Sequence, residues 1–272
     1  MLSPVLSRLV PVRRGVIREN LERALPEAPA GTVNRLIVET YRNFLFFVIE
    51  FIHIVRLGEK MKKKRDDRPG CPRITEIEGE EHFASVGSGK KPFLVLTGHL
   101  GNWELMGAFF ALKGAPLSVL AKPIHNPYVN RHVNRVREAN GLEVISTRKM
   151  PMRPVLKAIR AGRGVVFLAD QDARRAGIFV DFFGHPASTF TGPALFCVRT
   201  GLPLLPVFDI RTGLFSHKTI FLPPIYPPGD MEREEAIRHI TEKHVKCLEE
   251  MIRRYPDQYF WFHRRWKSRE KK

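Results

Sequence analysis

Two stretches of this sequence hold side chains able to move a proton. The first reads Gly98-His99-Leu100-Gly101-Asn102-Trp103-Glu104, a histidine followed, across a glycine-containing turn, by a carboxylate. An imidazole near its neutral pKa can take a proton from a hydroxyl. A carboxylate on its other nitrogen fixes the tautomer and stabilises the imidazolium. The spacing therefore predicts His99 as general base and Glu104 as its partner. A plainer reading has Asn102 capping a helix, Glu104 complementing the helix dipole and His99 as an ordinary loop residue. An H-x4-E spacing alone does not choose between them.

The second stretch is Asp170-Gln171-Asp172, which follows the apolar run GVVFLA. Core packing does not account for acidic side chains there, so Asp170, and after it Asp172, are candidate site residues; the alternative is a loop or helix cap. A D-x-D after a strand also suits a divalent metal in nucleotide-sugar chemistry, which would make the protein a glycosyltransferase. Other chemistries are excluded. The chain has no G-x-S-x-G elbow and no H-E-x-x-H helix, and VGSGKK at 86–91 lacks the spacing and the Ser/Thr of a phosphate loop.

These residues need elements to position them, and the pattern supplies an alternation. Helical periodicity covers 14–24 and 31–57, with Pro26 and Pro29 between, and a charged connection follows from Lys60 to Pro72. Apolar runs at 92–98, 116–121, 142–146, 164–169 and 203–210 then alternate with helical stretches at 103–113, 127–140, 152–161 and 192–201. A further strand is expected at 217–223 and a long charged helix at 231–254. Runs such as FLVL and VVFL imply strands buried on both faces. The fold class is α/β, a mostly parallel or mixed central sheet flanked by helices, with an N-terminal helical segment. Residues 1–60 form that membrane-proximal segment and 61–272 the α/β part, together one continuous structural domain. In such sheets ligands meet the carboxyl ends of strands, here the loops at 98–104, 122–127, 146–151 and 170–176.

The 272 residues carry 45 Lys and Arg against 28 Asp and Glu, a formal charge of +17. Such a surface attracts anionic lipid, nucleic acid or phosphorylated molecules alike. Cys71, Cys197 and Cys247 have no C-x-x-C spacing and make neither a disulfide framework nor a cysteine-rich zinc site. The most apolar run, Phe44 to Val55, is interrupted by Glu50 and His53 and is too short to span a bilayer. In YFWFHRRWK, aromatic and basic residues interleave, a mixture suited to nucleic-acid stacking or a membrane interface; docking by the aromatics with an exposed basic edge is favoured.

GHLGNWE resembles the H-x4-D/E block of glycerolipid acyltransferases, and its wording is similar to the bacterial lipid A biosynthesis acyltransferases, the late lauroyl and myristoyl transferases. Further blocks agree in order: KPIHNP at 122–127, RVREANG ending the next helix, STRK at 146–149, GVVFLADQD at 164–172, the run from 179 to 208, and YPDQYFWFHRRWK at 255–267. The resemblance implies a glycerolipid acyltransferase fold and direct transfer of a fatty acyl group to a hydroxyl, with no cofactor and no metal. It matches Arg137 to the family's functional arginine and Asp170 to its functional aspartate. It places Arg148 where relatives hold the acceptor phosphate, and Lys122 where they more often have arginine. Asn102 joins the substrate-binding set, because backbone N–H groups at the start of its helix can meet a tetrahedral oxyanion. The implied partners are an acyl carrier protein thioester, a phosphorylated glycolipid acceptor such as a lipid A precursor, and an anionic membrane surface; nucleic acid is not expected. The implied location is the cytoplasmic face of the bacterial inner membrane, peripheral or anchored by a shortened N-terminus. A non-enzymatic basic binder of membranes or nucleic acid is the remaining alternative.

Overall fold

A computed structural model describes residues 12–60, 73–87, 91–147 and 152–270. The first elements among the described residues are two helices, α1 (Arg14–Ala24) and α2 (Ala30–Lys60). The remainder runs β1 (Arg73–Glu78), α3 (Glu80–Ser85), β2 (Leu94–Thr97), α4 (Trp103–Leu112), β3 (Leu117–Ala121), α5 (Pro127–Ala139), β4 (Glu143–Ser146), α6 (Met152–Arg160) and β5 (Gly164–Leu168). It ends with the hairpin β6 (Ile178–Phe182) and β7 (His185–Thr189), then α7 (Gly192–Thr200), β8 (Leu204–Gly213), β9 (Ser216–Phe221) and α8 (Arg233–Arg254).

Seven strands form one sheet in the order β1-β9-β8-β2-β5-β3-β4. The five from β8 to β4 are mutually parallel, β9 is antiparallel to β8, and β1 runs parallel to β9. The fold class expected from the sequence is the one observed. β2 is buried at all four positions, because alternate side chains meet different layers. Val95 joins α4 residues Met106, Phe109 and Phe110 on one face, and Leu94 and Leu96 join residues of α6, α7 and α8 on the other. The chain thus leaves β2 over one face through α4 and leaves β5 over the opposite face through α7. A crevice opens where adjacent strands part in this way.

Strand β1, helix α3 and the β6–β7 hairpin escaped the sequence pattern. β1, RITEIE, is too charged to read as a strand, and it is an edge strand held by its ladder to β9. Helix α3 is only six residues long. The β6–β7 turn places Phe183 at φ 56° and Gly184 at φ 77°, a left-handed pair fit for a two-residue hairpin. Tertiary contacts hold the unusual Phe183: its N–H donates to Glu249 Oε2 at 3.0 Å, and the Arg253 guanidinium lies over its ring.

The N-terminal helices share a core with the sheet and α8. Ile17, Leu21, Leu36 and Ile37 pack with Phe208, Ile210, Ile220, Val245 and Trp261. Helix α2 is tied further by a buried charged network around Glu50. Glu50 accepts from Arg211 through both terminal guanidinium nitrogens, bonds His217 Nε2 at 3.0 Å and accepts from Asn102 Nδ2 at 2.8 Å. His217 Nδ1 in turn meets Asp209 Oδ2 at 2.7 Å. Burial opposes charge on Glu50, but the His217 and Arg211 bonds outweigh it and hold its pKa at about 2. Burial likewise pulls the His217 pKa down, and the bonds to Asp209 and Glu50 carry it up to about 9. Burial pushes the Asp209 carboxyl up against the pull of His217.

Removing one partner of a buried ion network strands the others, so Glu50→Gln should cost on the order of 3 kcal/mol in chemical denaturation at neutral pH. The network also sets a pH window. His217, raised from 6.5, contributes fully below that value and loses its contribution as pH rises through about 9. Glu50, lowered from 4.5, contributes above that value and loses its contribution as pH falls toward about 2. Unfolding free energies measured across pH should fall at both ends, and His217→Gln should remove most of the alkaline decline.

Candidate active site

β2 and β5 lie side by side in parallel register, with Thr97 opposite Leu168, so the residues just past their carboxyl ends face one another. Gly98 allows the approach: a Cβ there would sit 2.7 Å from Leu248 Cδ1 and 3.3 Å from Asp170 Cβ. The next residue makes the junction. The His99 backbone N–H donates to Asp170 Oδ2 at 3.0 Å, and its ring Nδ1 lies 2.7 Å from Asp170 Oδ1. Asp170 is buried, and burial pushes its carboxyl up. The charge on His99 and the His99 hydrogen bonds overcome that, holding its pKa below the ordinary value. In the neutral form of the ring, an ionised Asp170 favours the tautomer with its proton on Nδ1, which leaves the lone pair on Nε2.

The ring is caged by aromatics. Trp103 lies edge-on at 4.9 Å, Phe260 is tilted at 6.0 Å, and Phe47 stacks on Trp103 at 4.1 Å. The C-terminal segment pairs with the loop through an isolated bridge: the Phe260 N–H donates to the His99 carbonyl at 2.9 Å, and Leu100 bridges Tyr259. Gly101 carries φ +61° and passes so close to the Asp209 carbonyl that no side chain fits. The His99 side chain keeps 21% exposure, and Nε2 has no hydrogen-bond partner among the described residues. The arrangement is an oriented base, its ring partly exposed beside aromatic side chains.

The expected pairing of His99 with Glu104 is corrected: Asp170, not Glu104, bonds the imidazole. Glu104 is turned to α5, where Arg137 grips it through Nε at 3.1 Å and Nη2 at 2.6 Å. The two ion pairs sit at either end of the 98–104 loop. Asn102 is fully buried, which does not suit a direct substrate contact. Its Oδ1 caps α4 by accepting from Leu105 N at 3.0 Å, and its amide donates to Glu50. Asp172 has different partners from Asp170, accepting from Ser268 Oγ at 3.1 Å, while its backbone N–H donates to His263 Nε2 at 3.0 Å. Lys122 is exposed just past β3, at the same end of the sheet. Arg148 lies outside the described residues.

Among the described residues no three metal-ligating side chains cluster, and Asp170 and Asp172 are engaged by different partners, His99 and Ser268. Burial also disfavours the thiolate at both described cysteines. Burial pushes Cys197 up to about 12 and Cys247 up to about 11.

Sequence reasoning missed several supports. Phe260 was visible only as part of an aromatic-basic tail, and Glu50 only as an interruption of an apolar run. In that tail Tyr259, Trp261 and Phe262 dock as expected, but Arg265 is not on the exposed edge. It is buried, donating to Ser188 O at 2.6 Å and Thr189 Oγ1 at 2.5 Å. Burial, with the Arg265 charge nearby, depresses the His244 pKa to about 3.

The family model of the bacterial lipid A biosynthesis acyltransferases matches residues 4–268. This chain belongs to that family. The phosphatidylinositol mannoside acyltransferase of Mycobacterium tuberculosis is 27% identical over 194 residues, covering 70% of this chain but only 59% of that protein. The match therefore spans about three fifths of such a relative. The lipid A biosynthesis palmitoleoyltransferase of Escherichia coli is 24% identical, over 99% of this chain and 82% of its own length. The lauroyltransferase of the same organism is 25% identical over 98% and 83%. Among solved structures, the 1-acyl-sn-glycerophosphate acyltransferase of Thermotoga maritima aligns with 80% of this chain and 83% of its own at 18% identity and a TM-score of 0.39.

The tautomer of His99 reports which carboxylate holds it. Long-range nitrogen–proton spectra of the neutral ring should show the proton on Nδ1 in the unaltered chain. Glu104→Gln should keep that pattern, and Asp170→Asn should lose it.

Proposed function

We propose that this protein is an O-acyltransferase, moving a fatty acyl group from a thioester, carried by acyl carrier protein, to a hydroxyl of a phosphorylated glycolipid such as a lipid A precursor. The observation that carries the reading is the His99–Asp170 pair, an imidazole anchored at Nδ1 whose partly exposed ring lies beside Trp103 and Phe260. Family membership supplies the reaction class, and the names of the relatives supply the class of acceptor.

In this scheme Nε2 removes the acceptor hydroxyl proton as that oxygen attacks the thioester carbonyl. The imidazolium formed is stabilised by Asp170 behind it. The tetrahedral intermediate then collapses, breaking the carbon–sulfur bond, and the departing sulfur takes the proton from His99. The products are an ester and a free thiol, and no protein nucleophile is used. Arg137, held by Glu104 through Nε and Nη2, has its Nη1 left to meet an anionic oxygen of the substrate or intermediate. Lys122 and Arg148 remain candidates for the acceptor phosphate. The site of action in this reading is the cytoplasmic face of the bacterial inner membrane.

Incubation with isotopically labelled acyl carrier protein thioesters and a bacterial lipid extract, followed by mass analysis, tests the reading. An acylated phosphoglycolipid is expected, and thioester hydrolysis without a lipid product counts against it. His99→Ala should lower the transfer rate by about 100- to 10,000-fold while the protein stays folded. Asp170→Asn should fall nearly as far. A folded His99→Ala protein with undiminished turnover removes His99 from the mechanism.

A further inference from the structure

Helix α2 presents two unlike faces in its C-terminal half. Glu50 points into the fold, fully buried and bonded to Asn102, Arg211 and His217. On the opposite face Phe44, Val48 and Ile52 stand 39%, 38% and 59% exposed. A spacing of four residues puts them in one stripe over two turns. The stripe is continuous with the aromatic side chains around His99. Phe44 stacks with Phe47 at 6.3 Å and meets Phe260 at 5.5 Å, while Phe47 lies on Trp103, and both Trp103 and Phe260 border the His99 ring.

We infer that this face of α2 rests in the surface of an anionic lipid bilayer, with the helix axis along the membrane plane and His99 opening at its edge. The inference rests on the lipid-acceptor reading above and adds the docking face and its orientation. No helix among the described residues is long and apolar enough to cross a membrane, so α2 meets lipid with one side only. Charge favours lipid over a second copy of this chain. Helix α5 packs alongside α2 and exposes Arg131, His132 and Arg135, with Tyr128 and Val129 bare at its first turn. Cations beside apolar and aromatic side chains match the headgroup boundary of an anionic membrane. The same cations would repel their own image across a two-fold contact.

This orientation has a physical consequence for the site. A lipid acceptor would reach His99 laterally from the bilayer, passing along Phe44, Phe47 and Phe260 without its chains entering water. Glu50 on the inner face ties the docking helix to Asn102, three residues from His99, so the docking face and the catalytic loop are held as one unit.

Co-sedimentation of the full chain with vesicles of phosphatidylcholine alone, or mixed with phosphatidylglycerol, tests the face over a salt series from about 0.05 M to about 1 M. Binding to the mixed vesicles is expected at low salt, with a remainder at high salt from the buried apolar side chains. Val48→Asp with Ile52→Asp should lower the partition by about 10-fold or more and abolish that remainder. Leu214→Asp, on the exposed β8–β9 turn, should bind like the unaltered chain. So should His99→Ala, which separates failure of the docking face from failure of the catalytic reading. Ile52→Trp should in addition be quenched by brominated lipid. Unchanged binding of a folded Val48→Asp/Ile52→Asp protein overturns the inference, as does an unquenched Ile52→Trp. A lipid-free dimer that the double variant dissociates would assign the face to a second copy and overturn it equally.

Discussion

A carboxylate taken out of water at the end of a buried strand must be met by a cation or several donors, or it will not stay ionised. Asp170 meets that constraint with the hydrogen bonds of His99, which supplies both a backbone N–H and a ring nitrogen. Much of the site follows from this. The His99 backbone cannot shift without releasing one bond, and its ring cannot turn without releasing the other. A base held at two points loses little entropy on meeting a substrate, and its free nitrogen has one direction available. The pair exists because β2 and β5 are adjacent and in register, and that adjacency depends on α4 and α7 crossing opposite faces of the sheet.

The loop carrying His99 is anchored a second time, from the other side. Asn102 caps α4 through its oxygen and hands its amide to Glu50, so one side chain satisfies a helix terminus and a buried acid together. Glu50 is the junction of α2 with the sheet, joined to Arg211 on β8 and His217 on β9. Burying so many charges is expensive unless every partner is present, and the network couples distant parts of the chain for that reason. The aromatic cage works differently. Trp103, Phe260 and Phe47 exclude water from one side of the imidazole without bonding it, which strengthens the electrostatic hold of Asp170.

The alternation of apolar runs and helical periods was enough to give the α/β class and nearly every helix and strand of the main sheet, because strands buried on both faces and amphipathic helices write their periods directly into the chain. His99 was legible as a base for a similar reason: an imidazole just past a buried strand, in a glycine-containing turn, has few structural duties. The charged edge strand β1 and the Phe183–Gly184 hairpin were not legible. Their conformations are maintained by a ladder to β9 and by Glu249 and Arg253, none of which is local in sequence.

What the sequence could not determine is which charge meets which. Glu104 is five residues from His99 and Asp170 is seventy-one, so proximity along the chain favoured the wrong partner. Strand order reversed the choice, setting Asp170 against His99 and turning Glu104 toward Arg137 on α5. Glu50 looked like a flaw in an apolar helix, and Arg265 like an exposed tail residue, until packing supplied their partners. Residue type and local period determined the elements and the base. The pairing of buried charges was decided by tertiary structure alone, since it depends on which strand ends lie side by side and on how little a low-dielectric interior tolerates an unpartnered ion.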